Sequence, residues 1–369
     1  MNRLRRLQDA GVSIWLDTLS RDLLVSGKFA ELIAHSSVTG ATSNPTIFAK
    51  AIADSDLYDE QLAALAAAGM RDPQALFFAI ALDDIRRAAD LLRPAYEASG
   101  GRDGFVSFEC TPDVADDTNA TVEQALELWA RIARPNAMIK VPATDAGVPA
   151  VETLTAHGVN VNVTLLFSVA RYEEIIDAYM AGLERRIAAG EPVGQIASVA
   201  SFFVSRIDAK ADALLPHDSH LRGRVAIANA QRAYARYRDH FSGRRWRASE
   251  AAGGHPQRPL WASTGTKDPA YSDVLYVEEL IAPDTINTMP EATLRAFSDH
   301  GRAGTELSHD SQEAEETLRE ARGAGVDLEA ITRGLERDGV RAFCDSYQEL
   351  LSRIDAVVRR VTVSRQHVP

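Results

Sequence analysis

The sequence predicts an α/β fold: a TIM (β/α)8 barrel with additional helices and a helical C-terminal extension. Three observations predict it. Eight short β-type runs alternate with helical stretches rich in Ala, Leu, Glu and Arg, the pattern of a parallel sheet whose strands are joined by helical crossovers. Within several runs the polar residues recur at every second position, which gives a strand one polar and one apolar face. The polar residues also fall at or near the C-terminal ends of the runs, the rim at which barrels of this kind carry their chemistry.

The first run, Ser13–Thr18, sets Ser13, Trp15 and Asp17 opposite Ile14 and Leu16. The second, Val38–Ser43, leads into Asn44-Pro45, a turn and helix-start signal. An insertion with at least two helices, Asp56–Ala68 and Pro73–Ala98, then decorates the barrel. In the third run, Phe105–Cys110, the residues Phe105, Ser107 and Glu109 share a face, and Cys110 points to the other as a packing residue. A helix over Thr121–Ala133 separates it from the fourth run, Ala137–Val141, where Met138 and Lys140 lie together. The fifth, Val159–Leu165, alternates most clearly, with Asn160, Asn162 and Thr164 against Val159, Val161 and Val163. A helix over Ser168–Ala189 leads to the sixth, Ile196–Phe203, which carries Ser201 near its end. Segment Ser242–Pro259 holds Gly243, Gly253, Gly254 and Pro256 among arginines and reads as a mobile loop before the seventh run, Pro259–Ser263. The eighth run is Asp284–Thr288. Beyond Gly301 the pattern is helical, over Glu306–Ala324 and Leu328–Arg360, and these helices are expected to pack across the barrel. The chain thus reads as a single domain of 369 residues, with a barrel from about 10 to 300 and the extension from about 301 to 369.

Composition narrows the function classes. A content of 46% hydrophobic and 25% charged residues is that of a soluble globular protein. The net charge of -12 argues against nucleic acid as a partner while leaving room for a local phosphate pocket. Cys110 and Cys344 stand far apart, with no metal-like or redox-like spacing. The basic start Met1-Asn2-Arg3-Leu4-Arg5-Arg6 is followed by no apolar stretch, and no run of about 18 apolar residues occurs, so a cytoplasmic, non-membrane protein is expected. The nine histidines form no HExxH-type pair; His217-Asp218-Ser219-His220, near a proline, reads as a solvated turn, and no metal is expected. Gly265-Thr266-Lys267 lacks the glycine spacing of a nucleotide-binding loop, and Arg244-Arg245-Trp246-Arg247 reads as a flexible solvent-facing segment.

Lys140 is the most informative residue. The chain has five lysines against 35 arginines, and a lysine can do what arginine cannot: lose its proton when desolvated and attack a carbonyl to form an imine. Taken singly, each rim residue has a structural alternative. Asp17 could cap a helix, Glu109 could be a solvated rim charge, Asn44 could serve its turn, Thr164 and Ser201 could be plain strand residues, and Lys140 could be paired with a carboxylate. Their coincidence at corresponding strand ends favours chemistry.

Several of these stretches resemble transaldolase motifs. They are Ala41-Thr42-Ser43-Asn44-Pro45-Thr46, Met138-Ile139-Lys140-Val141-Pro142-Ala143-Thr144, Asn160-Val161-Asn162-Val163-Thr164-Leu165-Leu166-Phe167, and Ser198-Val199-Ala200-Ser201-Phe202-Phe203-Val204-Ser205-Arg206-Ile207-Asp208. Trp261-Ala262-Ser263-Thr264-Gly265-Thr266-Lys267-Asp268-Pro269 and Asn287-Thr288-Met289-Pro290-Glu291-Ala292-Thr293-Leu294 resemble late motifs of the longer bacterial transaldolases. The resemblance runs in order from about residue 10 to 300 and assigns no chemistry to the helical tail. It implies a Schiff-base enzyme of the pentose phosphate pathway, working without metal or organic cofactor as a monomer or homodimer on sugar phosphates. Lys140 would form the imine, Asp17 and Glu109 would handle protons, and Thr164 would help hold a catalytic water. Asn44 and Asn162 would bind the dihydroxyacetone portion; Ser201, Arg206 and the loop from Ser263 to Lys267 would meet phosphate. Two departures stand out: many relatives have arginine where this chain has Lys267, and an aliphatic residue and Asp where it has Cys110-Thr111. The alternatives are a class I fructose 6-phosphate-type aldolase, which releases dihydroxyacetone to water, and a noncatalytic sugar-phosphate-binding homologue.

Imine formation needs a neutral amine, and an unperturbed lysine near pKa 10.4 leaves only a few molecules in ten thousand neutral at pH 7. Desolvation inside the barrel is the expected remedy.

Overall fold

The computed structural model describes residues 2–304, 307 and 311–366. Eight parallel strands close into a barrel in sequence order: β1 (Val12–Leu16), β2 (Val38–Thr42), β3 (Val106–Glu109), β4 (Ala137–Pro142), β5 (Val161–Leu166), β6 (Ser198–Phe203), β7 (Arg258–Ala262) and β8 (Thr285–Met289). β8 pairs back onto β1, with Val12 opposite Thr285 and Leu16 opposite Met289. Every strand expected from the sequence is present. Alternation sets the layering: Ile14, Ile139, Val141, Val161 and Val163 face outward into the core shared with the helices, while Trp15, Phe105, Met138, Val199, Leu260 and Ile286 form a separate apolar cluster inside the barrel.

The lower interior is filled by one large ring. Trp15 is fully buried, and an added Cβ on Gly40 in the neighbouring strand would stand 2.4 Å from the indole. Gly40 is therefore the residue that gives the ring its place. Trp15 donates to Asp103 Oδ1 at 2.9 Å, Ser13 bonds the other oxygen, and Arg258 donates to Ser13 Oγ at 2.8 Å. This network closes the N-terminal end of the barrel.

Helix Pro73–Ala98 begins where Asp72 accepts the N–H of Ala75 and proline occupies the first turn. The insertion also holds helices Pro45–Asp54 and Asp59–Ala67, the second shorter than the Asp56–Ala68 read from the sequence. Segment Ser242–Pro259 is a correction. It contains the helix Trp246–Ala251, and Trp246 is buried edge-on against Phe241, ring centroids 4.9 Å apart. Arg245 pairs with Glu184 at 2.7 Å and Asp177 at 2.8 Å. The glycines break the helix; the buried indole and these ion pairs fix the segment.

Glu306, the expected start of the first C-terminal helix, lies outside the described residues; the helix there spans Gln312–Gly323. A 39-residue helix, Leu328–Gln366, follows and crosses the C-terminal mouth, packing on Pro45–Asp54, Asp59–Ala67, Pro73–Ala98 and Ser205–Ala211. Gly339 lets it come close, since a Cβ there would stand 3.0 Å from Leu165 Cδ2. Thr46 Oγ1 donates to Ser346 Oγ at 2.8 Å, and Lys210 pairs with Asp338 at 3.5 Å.

Candidate active site

A cavity of about 470 Å³ opens at the C-terminal end of the strands, a size that suits a small-molecule ligand. Asp17, Asn44, Glu109, Lys140, Thr164, Ser201, Arg206, Ser263 and Lys267 all line it. These residues come from the exits of seven strands, so barrel closure, and no single segment, creates the site.

Lys140 and Glu109 occupy registered positions on neighbouring strands. Both are polar-face residues of the last inward layer, so their side chains meet: Nζ donates to Glu109 Oε1 at 2.8 Å and to the Ser43 carbonyl at 3.0 Å. Ser43 Oγ donates to the other oxygen, Oε2, at 2.7 Å. Both charged side chains are about one-tenth exposed. The carboxylate pairing that the sequence left open is thus realised, and it lies inside the cavity.

Asp17 is not a helix cap. Ser20 caps the following helix, Arg21–Val25, by accepting the N–H of Leu23. Burial raises the Asp17 pKa above the ordinary carboxylate value; a hydrogen bond from Thr18 at 3.2 Å and the charges of Lys267 and Lys140 oppose that rise. The result is a largely buried carboxyl group of raised pKa within the same cavity as Lys140.

Asn44 serves its helix start and also lines the cavity. Its Oδ1 accepts the Ile47 N–H at 3.0 Å and caps helix Pro45–Asp54, while its position in the lining leaves Nδ2 for a ligand. Asn162 is in register with Lys140 yet is fully buried below the lining. Its short amide donates to Ser107 Oγ at 2.9 Å and accepts from Ser201 Oγ at 2.7 Å. In this arrangement it holds Ser201 and does not reach the cavity.

The backbone is strained at the rim. Leu165 and Ser263 adopt left-handed φ values of 61° and 57°, costly for residues with a Cβ. Leu165 sits in the register shift between β5 and β6, directly after Thr164. At the end of β7, the Ser263 carbonyl accepts the Ser205 N–H at 3.1 Å and the two hydroxyls lie 2.9 Å apart. That joins the exit of β7 to helix Ser205–Ala211, which carries Arg206.

Arg206 stacks over Phe203, 5.1 Å from the ring centroid, and desolvation lowers its pKa from the ordinary guanidinium value. Among the described residues neither Arg206 nor Lys267 makes an ion pair, so two cations line the cavity without a carboxylate in direct contact, although the Lys267 charge still acts on Asp17. Such a pair is suited to an anionic group.

Sequence reasoning missed several lining residues. Ser43 contacts both members of the Lys140–Glu109 pair, and its place directly before Asn44 at a strand end was the available signal. Gly339, Ala342, Phe343 and Ser346 form a roof from the long C-terminal helix, to which the sequence assigned no chemistry. Cys110, by contrast, packs as expected: it is buried, and burial pushes its thiol pKa up. No group of three or more metal-ligating side chains converges among the described residues, and no described helix is long and apolar enough to cross a membrane.

A family model described as Transaldolase/Fructose-6-phosphate aldolase matches residues 14–354. The chain belongs to this family of enzymes. A transaldolase from Saccharopolyspora erythraea is 51% identical over 357 residues, 96% of this chain and 97% of the relative. A transaldolase from Frankia alni is 50% identical over 359 residues, 96% of each protein. One from Thermobifida fusca is 50% identical over 357 residues, 95% of this chain and 97% of the relative. The match spans the barrel and most of the long C-terminal helix, so the roof over the cavity falls within the family model.

Proposed function

We propose that this enzyme is a transaldolase of the pentose phosphate pathway, acting in the cytoplasm. It would transfer a dihydroxyacetone unit from sedoheptulose 7-phosphate or fructose 6-phosphate to an aldose phosphate through a Schiff base on Lys140. The observation that carries this reading is the Lys140–Glu109 contact of 2.8 Å in a cavity that also holds Asp17 and the cations Arg206 and Lys267, which make no ion pair among the described residues.

Lys140 Nζ gives a proton to Glu109 and attacks C2 of the ketose. Protonation of the resulting carbinolamine oxygen, from Glu109 through a water held by Thr164, expels water and leaves the iminium. Asp17 accepts the C4 hydroxyl proton as the C3–C4 bond breaks, and the bonding electrons move into the iminium to give an enamine. The aldehyde leaves, the enamine carbon attacks the carbonyl of a second aldose phosphate while Asp17 returns its proton, and water adds to the regenerated iminium so that C–N cleavage frees the new ketose and Lys140. Asn44 would hold the dihydroxyacetone hydroxyls. Ser201, Arg206, Ser263 and Lys267 would receive the phosphate, and Asn162 would orient Ser201.

Glyceraldehyde 3-phosphate release from fructose 6-phosphate, measured with and without erythrose 4-phosphate, tests the reading. Release that requires the acceptor supports transfer; equal release without it means the enamine is protonated and the enzyme is an aldolase, the other activity in the family's description. Lys140→Arg keeps the charge and approximate length but cannot form an imine. Borohydride trapping of dihydroxyacetone on that variant as efficiently as on the parent would remove Lys140 from the role.

A further inference from the structure

The two cations at the cavity rim sit on different segments: Arg206 on helix Ser205–Ala211 after β6, and Lys267 on the turn after β7. Beneath them lies a buried polar network that the chemistry above does not use. Asp208, 1% exposed, accepts the Tyr276 hydroxyl at 2.9 Å and the Ala226 N–H at 2.8 Å. One turn later Asp212 accepts the Tyr271 hydroxyl at 2.7 Å and the Gly223 N–H at 3.1 Å. Arg222 completes the circuit. It donates to the Asp212 carbonyl at 2.8 Å and pairs at 3.2 Å with Asp268, the neighbour of Lys267.

The network spans the two cation-bearing segments at three points. Asp208 is two residues from Arg206, and both tyrosines follow Lys267 on the β7–β8 connection. Gly223 is fitted to it as well: its φ is 71°, and a Cβ there would meet the Tyr271 ring at 3.0 Å. Nothing about filling the space calls for carboxylates here. Burial pushes Asp208 up to about 7, with the nearby Asp212 charge adding to the rise, and the same burial and charges push both phenols up, so they remain donors. Apolar side chains of similar volume would avoid that desolvation. What directional hydrogen bonds provide instead is a fixed register between the two segments.

We propose that the Asp208–Tyr276 and Asp212–Tyr271 pairs are a latch that sets the separation of Arg206 and Lys267, making the two cations a single clamp for the phosphate end of the substrate. These four are positioning residues; none of them lines the cavity. The inference rests on the phosphate reading of Arg206 and Lys267 given above.

The test is a comparison of Tyr276→Phe, Tyr271→Phe and the double variant with Arg206→Ala. The readouts are KM for the aldose phosphate acceptor, competitive inhibition by inorganic phosphate, kcat, and turnover of unphosphorylated glyceraldehyde as acceptor. The double variant is expected to raise both KM and the phosphate inhibition constant about 5–20-fold, since small displacements of positioning groups have effects of this order or more. Its kcat and its turnover of unphosphorylated glyceraldehyde should stay within about two-fold of the parent. A double variant that leaves phosphate inhibition unchanged while Arg206→Ala weakens it overturns the latch and spares the phosphate reading. If Arg206→Ala also leaves phosphate inhibition unchanged, the phosphate reading itself fails and the latch falls with it. Equal losses with phosphorylated and unphosphorylated acceptors would make the network merely structural. Should the double variant not fold, Tyr276→Phe alone, checked by its thermal midpoint, decides on the same criteria.

Discussion

The lower and upper halves of the barrel are built from the same strands and follow the same alternation, yet they are opposite in character. On β1, β4 and the approach to β3, moving up one face leads from Trp15 to Asp17, from Met138 to Lys140, and from Phe105 through Ser107 to Glu109. Below, the apolar side chains fill the interior around Trp15 and the end is sealed by Asp103, Ser13 and Arg258. Above, the interior is left open, charged and partly strained. One layer of height separates residues that hold the barrel together from residues that can act on a ligand. Substitutions in the lower half should therefore move stability with little change in kcat, and substitutions in the upper half should do the reverse.

The largest effect expected from an upper-half change, short of removing the nucleophile, is at Asp17. Asp17→Asn takes away the proton acceptor for C–C cleavage and should lower kcat by about 10²–10⁴. Its effect on stability has the other sign. The carboxyl pKa is raised in the folded protein, so the native state carries a cost that is absent below the unfolded carboxylate pKa and grows as pH rises through the folded one. The thermal midpoint of Asp17→Asn should exceed that of the parent at pH 7 and lose this advantage in acid. Scanning calorimetry at both pH values checks it, and a midpoint lowered at neutral pH would show that Asp17 is structural after all.

The matching lower-half change is Trp15→Ala, expected to cost about 3–5 kcal/mol by opening a cavity in a packed interior. A milder version is Gly40→Ala, whose new methyl must displace the indole and should cost about 1–3 kcal/mol. Denaturant unfolding gives both numbers. Turnover measured well below the melting temperature should remain within a few-fold of the parent; a kcat loss comparable to that of Asp17→Asn would break the division between the halves.

This division was largely legible in the sequence because it depends on a period of two. All eight strands were read from short β-type runs between helical stretches, and the shared face of Phe105, Ser107 and Glu109 follows from alternation. Helix Pro73–Ala98 was legible at its start because Asp72 and Pro73 are strong start signals. What alternation does not convey is reach. Asn162 and Lys140 are registered partners, but the long side chain arrives in the cavity and the short amide is satisfied below it by Ser107 and Ser201. Nor does a local pattern reveal contacts between distant parts of the chain, such as that of Thr46 with Ser346, or the approach of Gly339 to Leu165 that brings the C-terminal helix over the mouth. The segment before β7 misled for a related reason: glycine content is local, whereas the burial of Trp246 is tertiary.

The smallest expected effect sharpens the comparison most, because it separates two roles within the upper half. Lys267 is the first of the charges that hold the Asp17 pKa down, ahead of Lys140. Lys267→Ala should therefore let burial raise that pKa further. The acid limb of the kcat/KM profile should move to higher pH, so activity is lost on the acid side while the plateau is kept. An unphosphorylated ketose as donor keeps phosphate affinity out of the measurement, and Lys267→Arg, which restores a cation, should return the limb toward its parental position. Raising ionic strength on the parent should move it in the same direction as Lys267→Ala but less, because the site is only partly screened. An acid limb unmoved by Lys267→Ala would confine this lysine to the phosphate end and leave the tuning of Asp17 to burial, Thr18 and Lys140.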